Sequence, residues 1–437
     1  MKIFKKDSEN FLSEFSKFLK NEGFIFQSNE IYGGLNGFYD FGPLGVLMKI
    51  NLKNLWLEDV VFKEKNVYLL DSSLINSEKI FEASGHLENF YDNLIECYDC
   101  HLRFKEEEVK DKCPNCSSEN ISEPKKFNLM FKTQIGALGD QTGYLRPETA
   151  QGIFVNFLNV LNSTRAKLPF GIASLGKSFR NEINPRHFIF RLREFEQMEL
   201  EFFTKPSESD YWFDYWLEKR FKWYLNLGIK EENIKKVEVP KEELPHYSKR
   251  NVDIYYKFSF GFQEIEGLAN RTDYDLKKHS EFSGKDLRYF DPDSKEKYFP
   301  YVIEPSCGVE RVIFAFLFDA FDVDSLNGSE RIVLRLNPKI APIKVAVFPL
   351  LSNKKELVEM AKQIYEELRT KFVTVYDESG SIGRRYRRQD EIGTPFCLTV
   401  DFDSLKNKDV TIRYRDSGFQ ERVPVKELEE FLKEKIK

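Results

Sequence analysis

The spacing of hydrophobic residues changes several times along the chain, and each change predicts an element. Apolar residues between 11 and 19 recur at helical spacing, which predicts an amphipathic helix that ends near Gly23. A glycine-rich segment with Pro43 then separates a short strand from a second helix that begins near Leu44. A further apolar stretch predicts a helix over 152–161. The first part of the chain therefore combines helices with short extended segments.

Two alternating segments around the turn Asn184-Pro185 predict a β-hairpin over 176–203. The first strand runs through 176–182, and the second begins with the alternation from Phe188 to Phe195. This hairpin carries an unusual set of charged and aromatic side chains: Arg180, Glu182, Arg191, Arg193, Glu194, Phe195, Glu196, Glu199 and Glu201. Such a set suits the phosphates and ring of a nucleotide together with a second, cationic group. The alternative is a solvated antiparallel pair with a charged outer face.

The segment from 205 to 300 is charged and combines helical spacing with two strand-like runs. We interpret it as an insertion within a catalytic domain over 1–340. In the second run Glu264 and Glu266 flank Ile265, so strict alternation predicts that both carboxylates face the same side of a strand. They are either magnesium ligands or part of a solvated face.

Two residues near strand or helix ends add candidate chemistry. A strand that ends around Glu304 is followed by a helix with Arg311 in its first turn. A cation at a helix N-terminus opposes the helix dipole, so this arginine predicts a phosphate partner. Glu148 lies just ahead of the helix over 152–161, where an ordinary first-turn acid is also expected.

The pattern changes again at 338–342, which predicts a linker before a separate α/β domain over 341–437. This domain contains the only dense basic cluster of the sequence, at 384–388. Its arginines suit contact with RNA phosphates, and a solvated helix face is the alternative. They are Arg384, Arg385, Arg387 and Arg388.

Composition narrows the functional classes. The chain has 437 residues, 41% of them hydrophobic, and a net charge of -5, so any contact with nucleic acid requires a local basic patch. No apolar run approaches the roughly 20 residues of a membrane helix. The first twenty residues lack a secretory core, and the acids Asp7, Glu9 and Glu14 argue against an organellar transit peptide. We expect a cytoplasmic protein that binds neither membranes nor DNA.

Four of the six cysteines form two CxxC motifs within one short window. They are Cys97, Cys100, Cys113 and Cys116. This spacing predicts a tetrahedral, structural zinc site in an insertion over about 90–125. Disulfides are the competing interpretation, which a reducing compartment disfavours. We expect the remaining two, Cys307 and Cys397, to be small buried residues.

Together these segments resemble a known enzyme family. FRNE (179–182) with RLREFEQME (191–199), GVER (308–311) and the segment around Gly42-Pro43 resemble motifs 2, 3 and 1 of class II aminoacyl-tRNA synthetases. The longer phrases EIYGGLNGFYDFGPLG, EASGH, LRPETAQGIFVNF, DYDLKKH, EPSCGVER and RRYRRQDEIGTP resemble the dimeric glycyl-tRNA synthetases, nearly end to end. The resemblance implies an α+β catalytic domain on an antiparallel sheet of six or seven strands flanked by helices. It also implies zinc-knuckle and helical insertions and a C-terminal α/β anticodon-binding domain.

The resemblance further implies the ATP-dependent attachment of glycine to the 3′ end of tRNA(Gly) through glycyl-adenylate, by a homodimer that uses magnesium. Two alternatives stay open at this stage. One is a synthetase for another small amino acid, and the other is a catalytically inert relative that only binds tRNA or a partner. An inert relative is expected to lack Arg180 or Arg311, and both are present.

By position, the resemblance assigns the catalytic roles to Arg180, Arg311 and Glu264. Arg180 is expected to hold the α-phosphate and the glycine carboxylate, and Arg311 the γ-phosphate, with the adenine ring between Arg311 and Phe195. Glu182 is expected to bind the adenine amino group, Arg191 the bent triphosphate, and Glu264 magnesium. The implied ATP-binding set is Arg180, Asn181, Glu182, Phe190, Arg191, Leu192, Arg193, Glu194, Phe195, Glu264, Ile265, Gly308, Val309, Glu310 and Arg311.

For glycine, the resemblance implies carboxylates around the ammonium group, namely Glu148, Glu199 and Glu304, with Ser306 beside the Cα. The full implied set is Glu148, Phe195, Glu196, Gln197, Met198, Glu199, Glu304, Pro305, Ser306, Cys307 and Gly308. Since glycine is smaller than its competitors, steric exclusion is enough to reject alanine, and no editing domain is expected. Cys307 departs from the aliphatic or smaller residue common in relatives, and we expect its thiol to pack.

Overall fold

The computed structural model describes residue 6 and residues 10–326 and 328–437. In the first part of the chain the helices and strands are α1 (Phe11–Asn21), β1 (Ile25–Gln27), β2 (Tyr39–Phe41), α2 (Pro43–Leu57), β3 (Val67–Leu69), β4 (Ile75–Ser77), α3 (Glu78–Ala83), α4 (His86–Asn89), β5 (Tyr91–Glu96), β6 (Arg103–Lys105), β7 (Lys125–Asn128), β8 (Lys132–Ile135), β9 (Gln141–Leu145), α5 (Ala150–Val155), α6 (Phe157–Thr164), β10 (Phe170–Phe179), β11 (Glu194–Thr204), α7 (Ser209–Asn226), β12 (Ile234–Glu238), β13 (Arg250–Phe258), β14 (Gly261–Thr272), α8 (Tyr274–Ser283), β15 (Tyr289–Phe290), β16 (Lys297–Tyr298), β17 (Tyr301–Gly308), α9 (Val309–Ala320), β18 (Phe321–Leu326) and β19 (Ser329–Leu334).

A seven-stranded sheet carries this part of the chain, in the order β12-β13-β14-β17-β11-β10-β3. All neighbours are antiparallel except β3, which runs parallel to β10. The predicted antiparallel sheet flanked by helices is therefore confirmed, with one parallel edge strand. Alternation along β11 places Met198, Leu200 and Phe202 in the large core, together with apolar residues of α1, α2, α7 and α9. The other face of β11, which includes Glu199 and Glu201, faces the candidate site.

Three predicted elements have different bounds. The hairpin strands are shorter on both sides of the turn, because β10 ends at Phe179 and β11 begins at Glu194. A single 3₁₀ turn at Phe188–Phe190 replaces the predicted alternation there. The predicted helix over 152–161 is two helices, α5 and α6, with Asn156 between them. The N-terminal helix ends at Asn21 as expected, although residues 1–5 and 7–9 lie outside the described part.

The interpretation of 205–300 as an insertion is wrong for most of its length. Its strands β12, β13 and β14 form one side of the central sheet. Helix α7 covers that sheet through Phe213, Trp216 and Tyr224, which are buried in the large core. The charged residues on the exposed sides of these elements explain why the sequence of this segment resembles an insertion, although the segment is part of the central sheet and core.

The second part of the chain has its own core, built from apolar residues between Val345 and Leu432. Its elements are β20 (Val345–Pro349), α10 (Lys355–Leu368), β21 (Thr374–Tyr376), α11 (Ile382–Ile392), β22 (Phe396–Val400), α12 (Phe402–Asn407), β23 (Asp409–Tyr414), β24 (Gln420–Pro424) and α13 (Leu428–Ile436). The strands form a mixed sheet in the order β21-β20-β22-β23-β24. This is the α/β domain predicted from the alternation of strands and helices.

The two parts are held together by buried charged contacts. Arg331 of β19 reaches helix α11, where its Nη1 donates to the Asp390 carboxylate at 2.8 Å. Arg413 of β23 holds the same carboxylate with two hydrogen bonds of 2.8 and 3.0 Å. Within the described residues, no helix is long and apolar enough to cross a membrane.

Candidate active site

The loop between β10 and β11 forms the entrance to the site. Its two ends are joined where the Arg180 amide donates to the Arg193 carbonyl at 2.9 Å, and the Arg193 amide donates to the Gly37 carbonyl at 2.9 Å. Gly37 has a φ of +79°, and a Cβ there would lie 2.6 Å from Cγ of Pro185. Only glycine fits this contact, so the glycine-rich segment before α2 fixes the position of the charged loop.

An open cleft lies beneath this loop. Residues from β11, β14, β17, α9 and the loop surround it, and most of the predicted ATP-binding residues are among them. The lining residues are Arg180, Glu182, Ile189, Phe190, Arg191, Leu192, Phe195, Gln197, Glu264, Ser306, Cys307, Gly308, Glu310 and Arg311.

Two arginines in the cleft lie against aromatic rings. The Arg180 guanidinium is 5.3 Å from the centre of the Phe195 ring, and its Nε donates to the Pro147 carbonyl at 3.1 Å. The Arg311 guanidinium is 4.3 Å from the centre of the Phe190 ring, and its Nη1 donates to the Glu264 carbonyl at 3.1 Å. Contacts with rings and carbonyls fix both guanidinium groups while leaving most of their N–H donors free for a ligand.

The charges in the cleft are not balanced by the protein itself. Burial lowers the pKa of Arg311, and the nearby charges of Arg180 and Arg191 act in the same direction, against the opposing effect of Glu264. One oxygen of Glu182 is buried without a hydrogen-bond partner, 3.6 Å from Nη1 of Arg191. Clustered guanidinium groups and an unused acceptor are features of a site that binds a phosphate and a donor group.

The prediction that Glu264 and Glu266 face the same side is wrong, because a β-bulge lies between them. Glu264 pairs with Tyr255 and Glu266 pairs with Ile254, so Ile265 has no partner on β13. Glu264 therefore faces the cleft, 3.5 Å from Arg311, while Ile265 lies in the core.

Glu266 instead faces helix α7. Its carboxylate accepts hydrogen bonds from Nε of Arg220 at 2.7 Å and from the Tyr224 hydroxyl at 2.6 Å. The acid beside Glu264 is Asp253 of β13. Burial and the charge of Glu264 raise the pKa of Asp253 to about 7.

The floor of the cleft is polar and buried. The Ser306 hydroxyl donates to the Glu199 carboxylate at 2.7 Å, and the Gln197 amide donates to the same carboxylate at 3.0 Å. The Thr149 hydroxyl also donates to Glu199. Burial and the charges of Glu304 and Glu148 raise the pKa of Glu199 to about 7. This carboxylate is held in place by neutral donors and has no cation bonded to it within the described residues.

The other two predicted ammonium-binding acids belong to a network that includes Arg271. Nη1 of Arg271 donates to Glu304 at 2.6 Å, and its Nε and Nη2 donate to Asp275 at 2.8 and 2.9 Å. Glu148 accepts a hydrogen bond from Gln151 at 3.0 Å and lies 3.5 Å from Nε2 of His86. Although burial opposes it, these contacts lower the pKa of Glu148, whereas burial raises the pKa of Glu304.

Several predicted site residues direct their side chains elsewhere. Glu196 bonds to Lys49 and Lys53 at 3.0 and 2.7 Å, on the face of β11 opposite to Glu199. Glu310 bonds to Lys49 at 2.8 Å on that same side. Three more residues of this kind, Met198, Ile265 and Val309, lie in the large core. Glu194 pairs with Lys177. Arg193 donates to the carbonyls of Asn36 and Glu182. A motif match assigns every residue of a stretch to the site. In a strand, however, alternate side chains face opposite sides of the sheet, so only some of these residues face the cleft.

Four polar residues around the site were not among the predicted ligands, although Glu201 was named as part of the charged hairpin. Arg271, Gln151 and Asp253 are described above, and Glu201 lies beside Glu199 and Glu304 with carboxylate oxygens within 4.8 Å of theirs. Asp275, which bonds to Arg271, lies in DYDLKKH, and Gln151 lies in LRPETAQGIFVNF, whereas Arg271 itself lies two residues before DYDLKKH. The phrases that carried the resemblance therefore already held part of this signal. Nothing in the sequence marked Asp253, because its role depends on the bulge in the neighbouring strand.

The four predicted zinc ligands come together in a unit built on the small sheet β6-β5-β7. Their sulfur atoms lie within 4.8 Å of one another, and the pairs Cys97–Cys116 and Cys100–Cys113 are separated by 3.6 Å. A tetrahedral zinc with Zn–S bonds of about 2.3 Å separates its sulfurs by about 3.8 Å, whereas a disulfide requires about 2.05 Å. The donor set therefore fits zinc. The other two cysteines, Cys307 and Cys397, are buried as expected.

The basic cluster on α11 is less accessible than the sequence indicates. Arg385 is 1% exposed, and its guanidinium donates to the carbonyls of Pro349, Leu350 and Asp377. Its predicted contact with RNA is therefore wrong, since the side chain is buried and both of its Nη groups donate inside the domain.

The other arginines of α11 differ from one another. Arg387 donates to the Ser329 carbonyl at 3.2 Å, and Arg388 pairs with Asp377. Arg384 is exposed, and no hydrogen bond or ion pair of its guanidinium occurs within the described ranges. Arg384 is thus the arginine of this cluster best placed to contact an external partner.

Comparison with known proteins adds independent findings. A family model described as the class II tRNA synthetase core domain (G, H, P, S and T) matches residues 131–319, and one described as an anticodon binding domain matches residues 344–435. The chain is 50% identical to a glycine–tRNA ligase of Caldanaerobacter subterraneus over 96% of this chain and 97% of that protein. It is 51% identical to the glycine–tRNA ligase of Clostridium acetobutylicum over 96% and 97%, and 50% identical to that of Borrelia hermsii over 95% and 96%.

Proposed function

The chain belongs to the glycine–tRNA ligase family of class II synthetases, and on that basis we propose that its cleft joins ATP and glycine and transfers the product to tRNA(Gly). The observation that carries this proposal is the continuity of two subsites. The arginine-lined cleft ends at Ser306, whose hydroxyl bonds to the buried Glu199. A nucleotide in the cleft and an ammonium group at its floor are thus brought within reach of each other.

In the ATP half, Arg180 holds the α-phosphate and the attacking carboxylate, Arg191 the bent triphosphate and Arg311 the γ-phosphate. The unpartnered oxygen of Glu182 accepts a hydrogen bond from the adenine amino group. Glu264 with Asp253 would hold magnesium, which would supply further neutralisation of phosphate charge. Because the arginines already lie against rings and carbonyls, they stabilise charge that develops on phosphorus with little reorganisation.

In the glycine half, Glu199, Glu304 and Glu148 surround the ammonium group, and Ser306 lies beside the Cα. Glycine's carboxylate attacks the α-phosphorus of ATP, pyrophosphate leaves, and glycyl-adenylate forms. The 3′-terminal ribose hydroxyl of the tRNA then takes the glycyl group. Since buried carboxylates occupy the space beyond the Cα, a larger side chain is excluded sterically.

For tRNA binding, we place a C-terminal anticodon-binding domain at 341–437 after a catalytic domain at 1–340. The last apolar residue of the large core is Ala341, and the first of the second core is Val345, which supports this boundary. Arg384 contacts the RNA backbone from α11. The zinc unit is structural, because four thiolates leave no open coordination position.

We further propose that the chain acts as a homodimer through the glycine-rich segment and α2. Ile31 and Tyr32 are 87% and 85% exposed, and the apolar residues Val46 and Ile50 of α2 are also exposed. Exposed apolar residues that cluster in this way are typical of an interface. Sedimentation equilibrium tests this: the native chain is expected to be a dimer, and Ile31→Asp with Tyr32→Asp a monomer.

Glycine-dependent exchange of pyrophosphate into ATP tests the central activity. We expect exchange with glycine, and none with alanine or serine. Glu304→Gln is expected to raise the KM for glycine at least tenfold while leaving the KM for ATP within twofold. Glu281→Gln, at an exposed position of α8 that pairs with Lys278, serves as the matched control and is expected to change neither value. Exchange driven by serine or alanine but not by glycine would overturn the proposal.

A further inference from the structure

Glu201 is a buried acid at the floor of the cleft for which the proposed reaction has no use. It lies on β11 two residues after Glu199 and is 0% exposed. Neither of its carboxylate oxygens has a hydrogen-bond partner among the described residues. An ionised carboxylate in that position would lose its hydration without compensation, which strongly disfavours the ionised form.

The groups that face Glu201 are mostly of the same sign. Glu199 approaches along its own strand and Glu304 from β17, and oxygen atoms of all three carboxylates lie within 4.8 Å of one another. The facing cation is Arg271 of β14, whose donors are already bonded to Asp275 and Glu304. The hydrogen bonds of the Arg271 guanidinium therefore offset the charges of Asp275 and Glu304 rather than a charge on Glu201.

The charges farther out do not change this balance. His86 lies against Glu148, and Arg146 bonds to the Ser72 and Lys177 carbonyls behind β10. On the apolar side, β10 and α5 contribute Ile172, Ala150 and Phe154. Three ionised carboxylates next to one committed arginine would repel one another strongly in such surroundings.

We propose that Glu201 is a positioning residue that keeps a proton at neutral pH and shares it with Glu304. The proposal rests on the proposed glycine site. The neutral carboxyl of Glu201 donates to Glu304, so that Glu304 stays ionised and turns its remaining lone pairs towards the ammonium group. The site then presents carboxylates to the ammonium at its entrance and a neutral acid behind them.

Burial and the charge of Glu304 raise the pKa of Glu201 well above its ordinary range, with Arg271 acting in the opposite direction. Glu201 and Glu304 would share one proton between an oxygen of each carboxyl group, as carboxyl groups that share a site do. The competing arrangement is an ionised Glu201 that binds the ammonium directly as a further ligand.

Isosteric substitution separates these two arrangements. Glu201→Gln keeps a neutral donor towards Glu304, so its KM for glycine in ATP–pyrophosphate exchange is expected to stay within twofold of the native value. Glu201→Met has similar size but no donor, and we expect it to raise that KM at least fivefold at unchanged kcat. Glu199→Gln is the reference for loss of a direct ligand, with an increase of at least tenfold. A tenfold increase in Glu201→Gln would overturn the proposal.

Infrared spectroscopy gives a readout that a purely structural role would not move. The native protein at pH 7.5 is expected to show the carbonyl stretch of a neutral carboxylic acid, shifted by ¹³C-glutamate labelling and absent from Glu201→Gln. Absence of that band from the native protein would overturn the proposal even if the variants failed to fold. Failure of the proposed function would appear separately, as native protein without glycine-dependent exchange.

Discussion

The Lys49 ammonium lies 2.8 Å from the Glu310 carboxylate, in the buried layer between helices α2 and α9. The same ammonium is 3.0 Å from Glu196, and the Glu196 amide donates to Glu310 at 2.8 Å. One lysine thus connects the helix of the glycine-rich segment with the strand and helix that present Phe195 and Arg311. An ion pair behind the cleft therefore determines the position of the residues that line it.

Removal of Lys49 is expected to disturb both folding and ATP binding. Lys49→Met leaves the buried Glu310 carboxylate without its cation and removes one of the two lysines that contact Glu196. Loss of one partner of a buried ion pair typically costs about 3–5 kcal/mol. We expect that decrease in the free energy of unfolding in urea, together with a higher KM for ATP. Lys53→Met is the matched control, since the side chain of Lys53 is 30% exposed and contacts only Glu196 of this group. Equal effects of the two substitutions would contradict the central role of Lys49.

Removal of the metal is expected to unfold the cysteine unit before the rest of the chain. Cys113→Ser should lose bound zinc in elemental analysis and make residues 91–128 sensitive to protease, because small zinc units depend on the metal for folding. Cys397→Ala, at a buried cysteine of the C-terminal domain, should retain the zinc content. Retention of zinc by Cys113→Ser would exclude the four-thiolate site.

Substitution of the α11 arginines is expected to separate RNA contact from folding. Arg384→Ala should weaken tRNA charging and reduce the salt dependence of tRNA binding by about one unit of slope, while adenylate formation stays unchanged. Arg369→Ala, at an exposed arginine of the same domain, is the control and should leave charging unchanged. Arg385→Ala should instead lower the stability of the domain, because buried carbonyls lose their donor. A loss of charging without a loss of stability in Arg385→Ala would contradict this assignment.

The raised pKa of Asp253 predicts a pH-dependent stability of the metal-free protein. The folded protein keeps the proton up to about pH 7, whereas an unfolded aspartate loses it near about pH 4. Since the folded state binds more protons in that interval, stability decreases as pH rises from about 4 to about 7. Asp253→Asn removes this dependence, so we expect it to be more stable than the native protein at pH 8 without magnesium. The two should be equal near pH 4.

Asp210→Asn, at an exposed position of α7, controls for general charge effects and should follow the native pH profile. Chemical denaturation at several pH values measures the difference. A native stability that rises between pH 5 and pH 7 relative to Asp253→Asn would contradict the raised pKa.

Local patterns were enough to predict helix α1, the separate C-terminal α/β domain and the cysteine cluster. Helical spacing of phenylalanines gave α1, and the CxxC pairs placed four thiolates that the fold brings together. The motif phrases then led to most residues of the cleft. These features depend on neighbouring positions in the chain, and the sequence contains them directly.

Features that depend on other strands could not be predicted. Glu196 and Glu199 occupy one charged segment, but the register of β11 against its neighbouring strands places their side chains on opposite faces of the sheet. Arg384 and Arg385 are adjacent in a uniform basic run, yet only the packing of α11 on β20 distinguishes the exposed from the buried one. Both cases require long-range contacts, which a single sequence does not reveal.

The bulge at Ile265 has a consequence for how this strand tolerates mutation. A substitution at that position alters one core side chain, but insertion of one residue between Ile254 and Tyr255 would give Ile265 a partner, restore regular pairing and place Glu264 on the same face as Glu266, away from the cleft. Ion pairing with Arg311 would be lost together with the acid beside Asp253. Chain length, rather than residue identity, is therefore the fragile property here, and we expect insertion of one residue between Ile254 and Tyr255 to cause a sharper loss of activity than alanine substitution at either position.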